Sequence, residues 1–564
     1  MFVVFEGIDG SGKTSISNRV AAELARQGQS VKHLRAEGRF ASPIVEGIRE
    51  FTRNSQHLEL CWEAEFLLYV ARDVQLMNET LRPALACHDI VLADRFLYTS
   101  EVLARHARGL DESFVRPILT AAAAGLEPDL VIWVDVDPAI ANARRKLRKL
   151  DGGRQGPPGR KGLSGAGLPE RLREGYLELA ASDPERWFVV VNHGSLEESV
   201  QRVVELIGRA RNEGPARAVA AYRAAQSQRT SPPLRLPSAT AALEHFLSRV
   251  DELGEREPAL AAYLLGGMYG TPVDARRRRL AEVAPRAVLN ALRALNDAES
   301  QRLRRELSAT QPDLVLRSLR GGLRSPEGWT LWQELEAVVP SEALLCLSGS
   351  TDARAWAARD RWCECEPQAT LASLAGLDDP RAWAMRERLL TLRGEVISTS
   401  YEFARALARS VTGSSTDAAW HLRRQARSVA PVAALASLAG VYDPQSWLWR
   451  EQALEYAPKV VMHSLNGCAE PAAWRLRQQV ARRCKEALDG FEGVDSPEAW
   501  TLREASYDTW PSSVVKTLGP LADTERGRAV IERQLAAYPD DVSLLRHVAR
   551  IALGLHRVAP PPDT

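Results

Sequence analysis

Long hydrophobic runs are missing from this chain. Nowhere in its 564 residues does an unbroken apolar stretch reach the roughly 20 residues of a membrane-spanning helix. Net charge is nearly absent too: 73 Lys and Arg face 72 Asp and Glu, leaving +1. Nothing global therefore points to nucleic acid or an anionic membrane as partner. Cysteine is scarce, with seven residues (61, 87, 346, 363, 365, 468 and 484), odd in number and scattered. That excludes a disulfide scaffold and fits the reduced thiols of a cytoplasmic protein. Cys363-x-Cys365 is the one close pair, and no His or second Cys pair stands at metal-ligand spacing around it. The opening Met1-Phe2-Val3-Val4-Phe5-Glu6-Gly7 lacks the basic and apolar regions of a secretory signal and reads as a strand that begins at once. With 45% apolar and 26% charged residues the composition excludes a disordered or collagen-like chain. Tryptophan is what is unevenly present: 11 of 14 lie between Trp329 and Trp510, so the two ends of the chain are built differently.

The first of those ends carries the chemistry. After the apolar run 2–6 comes Gly7-Ile8-Asp9-Gly10-Ser11-Gly12-Lys13-Thr14, then a helical pattern through Ala25. This is GxxxxGK[ST] between a strand and a helix, the context of a phosphate-binding loop. Gly7, Gly10, Ser11 and Gly12 let the backbone curl with its N–H groups toward a phosphate. The helix adds its positive N-terminal end, Lys13 a mobile charge for the β- and γ-phosphates, and Thr14 a hydroxyl ligand for Mg²⁺. The pattern thus calls for ATP and Mg²⁺.

Further strands are expected at Val31–Arg35, at 89–93 ending in Asp94-Arg95, at 129–134 ending in Asp135, and at Trp187–Val191, with helices between. Continuous apolar strands alternating with helices imply a parallel sheet covered on both faces, with its site at the carboxyl ends of the strands. Arg35, Asp94, Arg95 and Asp135 stand there. A helix after Pro138 carries Arg144, Arg145, Lys146, Arg148 and Lys149 and leads into the Gly- and Pro-rich basic segment 151–167. That composition suits a lid bringing arginine over transferring phosphates.

These residues together resemble the thymidylate kinase family of P-loop nucleoside-monophosphate kinases, over about residues 1–208. The resemblance rests on Phe5 to Thr14, on the strand ending Asp94-Arg95, on Arg108-Gly109-Leu110-Asp111, on Pro128-Asp129-Leu130, on Val134-Asp135-Val136 and on Arg171-x-Arg173-x-x-Tyr176-Leu177-x-Leu179-Ala180. It implies ATP-dependent phosphorylation of a deoxynucleoside monophosphate, dTMP first among them. Asp9 would touch the acceptor sugar hydroxyl, Arg35 and Arg95 its phosphate, and Asp94 the magnesium side. Tyr69 would stack on the base, with Arg72 and Arg108 also among the substrate-binding residues. Gly10 stands where some members carry a catalytic Arg in the loop. The chain is therefore similar to the type whose lid supplies it, a role for Arg144 and Arg148 beside Lys13 and Arg95. It departs from the family at Arg35-Ala36-Glu37-Gly38, at Arg72-Asp73, where Asp and Arg are transposed, and at Leu103-Ala104-Arg105. The departures fall on the acceptor pocket and spare the ATP side.

The tryptophans mark a repeat. Trp329, Trp356, Trp383, Trp420, Trp447, Trp474 and Trp500 are spaced 27, 27, 37, 27, 27 and 26, the long step being read as about ten extra residues near 393–416. Arg follows three residues later in six of the seven, and Pro stands eleven residues after Trp in five. The unit reads as two short helices with Pro opening the second, and its stacking gives an α-solenoid in which Trp is a core spacer and Arg lies over its ring. About ten units are expected from 270 to 557, resembling HEAT-like repeats in architecture.

The whole is read as an α/β P-loop kinase domain (1–210), a linker (211–240) and an all-α solenoid of about ten helix-turn-helix units (241–564). A nucleoside monophosphate is the expected small-molecule partner, a protein the expected partner of the array, with no membrane and no nucleic acid. Homodimerisation through the kinase domain is left open. The alternative is a nucleotide-responsive scaffold whose kinase domain is degenerate and whose solenoid holds a partner.

Overall fold

The computed structural model describes residues 1–34, 42–150, 168–192, 195–227, 234–293, 295–320, 323, 325–393 and 400–557. Arg35 and the expected lid at 151–167 lie outside them. The chain divides into two compact units, one built mainly of Met1–Arg145 and the other mainly of Leu234–Thr564.

The first unit alternates strand and helix: β1 (Phe2–Glu6), α1 (Lys13–Arg26), β2 (Val31–His33), α2 (Pro43–Arg53), α3 (Trp62–Leu76), α4 (Arg82–Cys87), β3 (Ile90–Asp94), α5 (Leu97–Val102), α6 (Glu112–Ala123), β4 (Leu130–Asp135), α7 (Pro138–Leu150), α8 (Leu168–Ser182), β5 (Trp187–Val191), α9 (Leu196–Glu213) and α10 (Pro215–Ser227). All strand pairs are parallel, in the order β2-β3-β1-β4-β5. Strands buried on both faces need unbroken apolar sequence, and Phe2 to Phe5, Ile90 to Ala93 and Leu130 to Val134 supply it. The central position of β1 sets the loop that leaves it between the ends of β3 and β4.

Two expectations change here. The second strand stops at His33. The reading of 211–240 as linker gives way over residues 215–227. There α10 buries Ala218 and Val219 in the same core as Val3, Phe5 and Phe188, and Tyr222 packs edge-on to Phe188 at 5.1 Å. Those three side chains share one helical face, which is enough to dock an otherwise polar helix.

The second unit opens with α11 (Ala239–Arg256) and continues as helix pairs. Outer helices carry the tryptophans. Inner helices are short: Pro258–Leu264, Pro285–Ala291, Pro312–Leu319, Pro340–Leu345, Pro367–Ser373, Tyr401–Ser410, Pro431–Ala436, Pro458–Ser464, a single 3₁₀ turn Lys485–Leu488, Pro511–Leu518 and Val542–Ala552. Proline begins eight of these eleven, where its fixed φ and missing N–H cost nothing. The 3₁₀ turn begins with Lys485, at the place of the missing proline. Each inner helix packs on the next more closely than the outer helices pack on each other, so the stack curves. The curvature brings its ends together. Val542–Ala552 lies along α11, Arg546 donates to the Gly266 carbonyl at 2.5 Å and Arg550 to that of Gly267. The solenoid expected from the repeat thus closes into a ring, its last helix seated against its first.

The expected Arg-on-Trp contact is present. Arg359, Arg386, Arg423, Arg450, Arg477 and Arg503 lie 4.6–5.2 Å from the ring three residues before them. Their larger role was not legible in the spacing. All six are fully buried, as are Arg277 and Arg304 in the units that lack the tryptophan. Arg450 shows the pattern. Its Nη2 donates to Leu438 O at 2.7 Å and Nη1 to Val441 O at 2.8 Å, both just past the preceding inner helix. Its Nε reaches Ser464 Oγ at 2.9 Å at the end of its own. One guanidinium therefore ties together the carbonyl ends of two successive inner helices, where a cation is favoured. Burial pushes the pKa of Arg359, Arg423 and Arg450 down to about 10, which leaves them charged at neutral pH. The spacing from this Arg to the Ser that it meets is 14 in Arg359, Arg423 and Arg450 but 24 from Arg386 to Ser410, so the extra residues enter before 410. Trp332 takes the Arg position in its unit and donates its indole N–H to Ala343 O at 2.9 Å.

Gln534 takes that position in the last outer helix, Glu525–Ala537. It is fully buried, and neither amide atom finds a partner among the described residues. Replacing it by methionine keeps the volume and removes two unsatisfied polar atoms. Gln534→Met is expected to raise stability by about 1–2 kcal/mol, read as a higher urea midpoint at unchanged slope.

Candidate active site

Gly7, Gly10 and Gly12 have φ of 143°, 97° and 95°, conformations that L side chains rarely adopt. Space forbids a side chain as well. A Cβ on Gly10 would stand 2.3 Å from Ala141 O, and one on Gly7 2.6 Å from Val134 O. The loop is thereby clamped between α7 and the end of β4. Asn192, after β5, fixes its far side by donating Nδ2 to Ser11 O at 2.6 Å. The N-terminus of α1 has no side-chain cap, so its positive end is presented to the loop as an anion site. Lys13 is buried, with its Nζ 3.7 Å from the Asp9 carboxylate. Thr14 donates its hydroxyl to Asp94 Oδ2 at 2.6 Å, which joins the first turn of α1 to the end of β3.

Arg95, next after β3, has φ 87°, in the left-handed region that a non-glycine residue occupies only under constraint. The constraint is Glu6. Its carboxylate is wholly buried and accepts from Phe96 N at 2.9 Å, Thr99 Oγ1 at 2.6 Å and Tyr176 OH at 2.9 Å. Burial raises the Glu6 pKa, and Arg95 and the three donors oppose the rise. Arg95 in turn reaches Asp9 Oδ1 at 2.5 Å, Thr99 Oγ1 at 3.0 Å and Tyr176 OH at 3.3 Å. Burial works against its charge, but Asp9, Tyr176, Glu6 and Asp94 outweigh it and raise its pKa. Asp9 therefore stands between two cations, Lys13 and Arg95. The part played by Glu6, Thr99 and Tyr176 escaped the sequence reading, since 77 to 170 residues separate them from one another and from Arg95 in every pair but Arg95–Thr99.

On α3, Tyr69 is buried and its ring lies under Arg72, whose Cζ is 4.9 Å from the centroid. Arg72 donates Nε to Asp73 Oδ1 at 2.8 Å, and Ser100 donates to the second oxygen of Asp73 at 2.8 Å. The transposed pair is thus a fixed unit on α3 held by α5. Arg53, at the end of α2, was not singled out in the sequence. Burial and then Arg49 push its pKa down to about 10, with Tyr69, Asp9 and Arg72 also among its electrostatic neighbours. Arg108 corrects an expectation. Its side chain is 2% exposed, lies 4.1 Å over the Trp62 ring, and gives Nε and Nη2 to Glu65 at 2.7 and 3.1 Å. It braces α3 from within where a substrate-facing group was expected.

Of the expected lid arginines, Arg144 is half-buried and Arg148 exposed, both on α7. Arg144 stands one turn beyond Ala141, the residue whose carbonyl touches Gly10. Asp135 is engaged by Arg173 of α8 through two bonds of 2.7 and 2.8 Å.

A parallel sheet in this order, with a glycine-clamped phosphate loop after its central strand and a Thr–carboxylate pair joining that loop to the next strand, defines a P-loop kinase. The family model "Thymidylate kinase" matches residues 5–203. A thymidylate kinase of Solidesulfovibrio magneticus is 32% identical over 209 residues, covering 37% of this chain and 99% of its own length. One of Desulforudis audaxviator is 38% identical over 191 residues, covering 34% and 82%. A solved thymidylate kinase of Ehrlichia chaffeensis, 22% identical, covers 37% of this chain and 98% of its own with a TM-score of 0.27. The chain belongs to the thymidylate kinase family and is a nucleoside-monophosphate kinase, extended by a helical array well beyond the length of the relatives that it matches. Among the described residues no helix is long and apolar enough to cross a membrane.

Proposed function

We propose that residues 1–210 transfer the γ-phosphoryl group of ATP to a deoxynucleoside monophosphate, dTMP above others, and that residues 241–564 serve as a binding module. The Thr14–Asp94 contact beside the uncapped end of α1 is the observation that carries this reading. It puts a hydroxyl and a carboxylate, the donor set magnesium takes, at the mouth of a cradle too tight for any Cβ. When bound, magnesium neutralises phosphate charge. Gly7, Gly10, Ser11 and Gly12 would bind the nucleotide phosphates through their backbone, with Lys13 pairing with the outer ones. Arg95, held by Glu6 and Tyr176, would bind the acceptor phosphate together with Arg53 and Arg35. Asp9 would accept from the acceptor sugar hydroxyl. Tyr69 and Arg72 would form the wall beside the base, and Arg144 and Arg148 would bring positive charge over the transferring group. Catalysis of this kind is positioning and electrostatics. Exposed Ile44 and Phe51 on α2, Leu67 on α3 and Phe114 on α6 support a homodimer through this unit. A protein partner of the array would meet the outer face of a ring in place of an open groove.

Coupled-assay turnover with each deoxynucleoside monophosphate tests the reading. Turnover is expected with dTMP and to be highest there. ATP binding with no turnover on any acceptor would leave the nucleotide-responsive scaffold as the reading instead.

A further inference from the structure

One peptide of the phosphate loop has a direction that the loop itself does not fix. The peptide between Ser11 and Gly12 stands just ahead of the backbone ladder of α1, in which Ile16 N donates to Gly12 O at 3.0 Å. A planar trans peptide points its C=O and N–H opposite ways, so the side that the Ser11 carbonyl faces decides the side that the Gly12 amide faces. The plane turns about Ser11 ψ and Gly12 φ. Glycine accepts φ of either sign, so at Gly12, with φ 95°, reversal of the peptide costs the backbone little. The Ser11 side chain does not prevent it, since its buried hydroxyl finds no hydrogen-bond partner among the described residues.

Asn192 does prevent it. It follows directly on β5 and is buried. Its backbone N–H donates to Asp135 O at 2.9 Å, and the Asp135 carboxylate is gripped by Arg173, so its main chain is tied to the end of β4. From that anchored position its Nδ2 donates to Ser11 O at 2.6 Å. The same Nδ2 would stand 2.6 Å from a Cβ on Gly12, so the amide lies against both halves of the peptide. In a reversed peptide the Asn192 amide would face an N–H in place of a carbonyl, donor against donor. The Ser11 oxygen would turn toward the phosphate oxygens and repel them. A buried donor and acceptor that must both be paired hold the peptide one way round.

We propose that Asn192 is a positioning residue for ATP, which pins the Ser11 carbonyl outward and so keeps the Gly12 N–H aimed at the nucleotide phosphates. It touches no phosphate itself and stands 181 positions from the residue it holds. This role rests on residues 7–14 binding the phosphates of ATP. A loop that is competent only part of the time binds its ligand more weakly in proportion, and works normally once filled. Titration calorimetry of the full chain with the β,γ-imido analogue of ATP, together with steady-state kinetics, tests the role in wild type, Asn192→Ala and Asn192→Leu. Leucine keeps the volume of asparagine and brings neither donor nor charge. Both variants are expected to bind the analogue about tenfold more weakly, with KM for ATP raised to match. KM for dTMP and kcat at saturating ATP are expected to stay within about twofold of wild type, which also shows that the variants fold. Wild-type affinity for the analogue in Asn192→Leu overturns the proposal, because space-filling then suffices. So does a loss that falls on kcat or on KM for dTMP and spares analogue binding. A wild type that does not bind the analogue overturns the phosphate-loop reading itself, and this role with it.

Discussion

Lys13→Ala is expected to lower kcat for phosphoryl transfer by about a thousandfold, some 4 kcal/mol of transition-state stabilisation. The charge is lost where it counts most, on a buried side chain in a loop clamped by Val134 O, Ala141 O and Asn192. No neighbour replaces it. Arg95 is committed to Asp9, Thr99 and Tyr176, and its backbone is already in the left-handed region. The fold is expected to survive, because Asp9, with which Lys13 pairs, keeps its contact with Arg95. Steady-state turnover alongside circular dichroism separates the two effects. A variant that keeps more than a tenth of wild-type kcat would remove Lys13 from the site.

The second large effect is expected in the array. Arg450→Leu removes a cation that donates to Leu438 O, Val441 O, Ser464 Oγ and Ser446 Oγ. The carbonyls at two helix ends then lie buried with one donor fewer, and water cannot reach them. Removing one partner from a buried polar network costs about 3–5 kcal/mol. Arg450→Lys is expected to recover little of this, since an ammonium cannot fork between acceptors on both sides of the unit. Arg475→Ala, which breaks the exposed pair with Glu451, is the control and is expected to leave the melting midpoint in place. Equal midpoints for Arg450→Leu and Arg475→Ala would show that the buried arginines are not what joins the units.

The parts of the fold governed by local pattern were legible in the sequence. The phosphate loop is a contiguous motif, the buried strands are contiguous apolar runs, and the tryptophan period reports a repeated pair of helices. What escaped depends on residues far apart in the chain. Glu6, Thr99 and Tyr176 are individually ordinary, and only the packing of α5 and α8 against the end of β1 makes them the support of Arg95. Arg108 sits in a motif that resembles a substrate-binding stretch, yet Glu65, 43 positions earlier, draws it into the interior. Arg53 has no motif around it. In the array the Trp-x-x-Arg spacing was visible, but a period cannot say that Arg crosses to the helix ends of the preceding unit. Nor can it say how much each unit turns the stack, which is the quantity that decides between an open array and a ring.

Closure has a consequence for how this region can vary. An open stack tolerates the gain or loss of a unit, because each contacts only its neighbours and an exposed end is merely moved. Here the helix Val542–Ala552 must land on α11, and the arc spanned by the units between them is fixed by that seam. Removing one unit, for example residues 444–470, would open a gap that Arg546 and Arg550 cannot bridge to Gly266 and Gly267, and adding one would make the ends collide. The copy number is therefore quantised by geometry, and length variation is confined to places that leave the arc unchanged. The ten additional residues between Arg386 and Ser410 show this: the guanidinium still meets the Ser410 carbonyl across them.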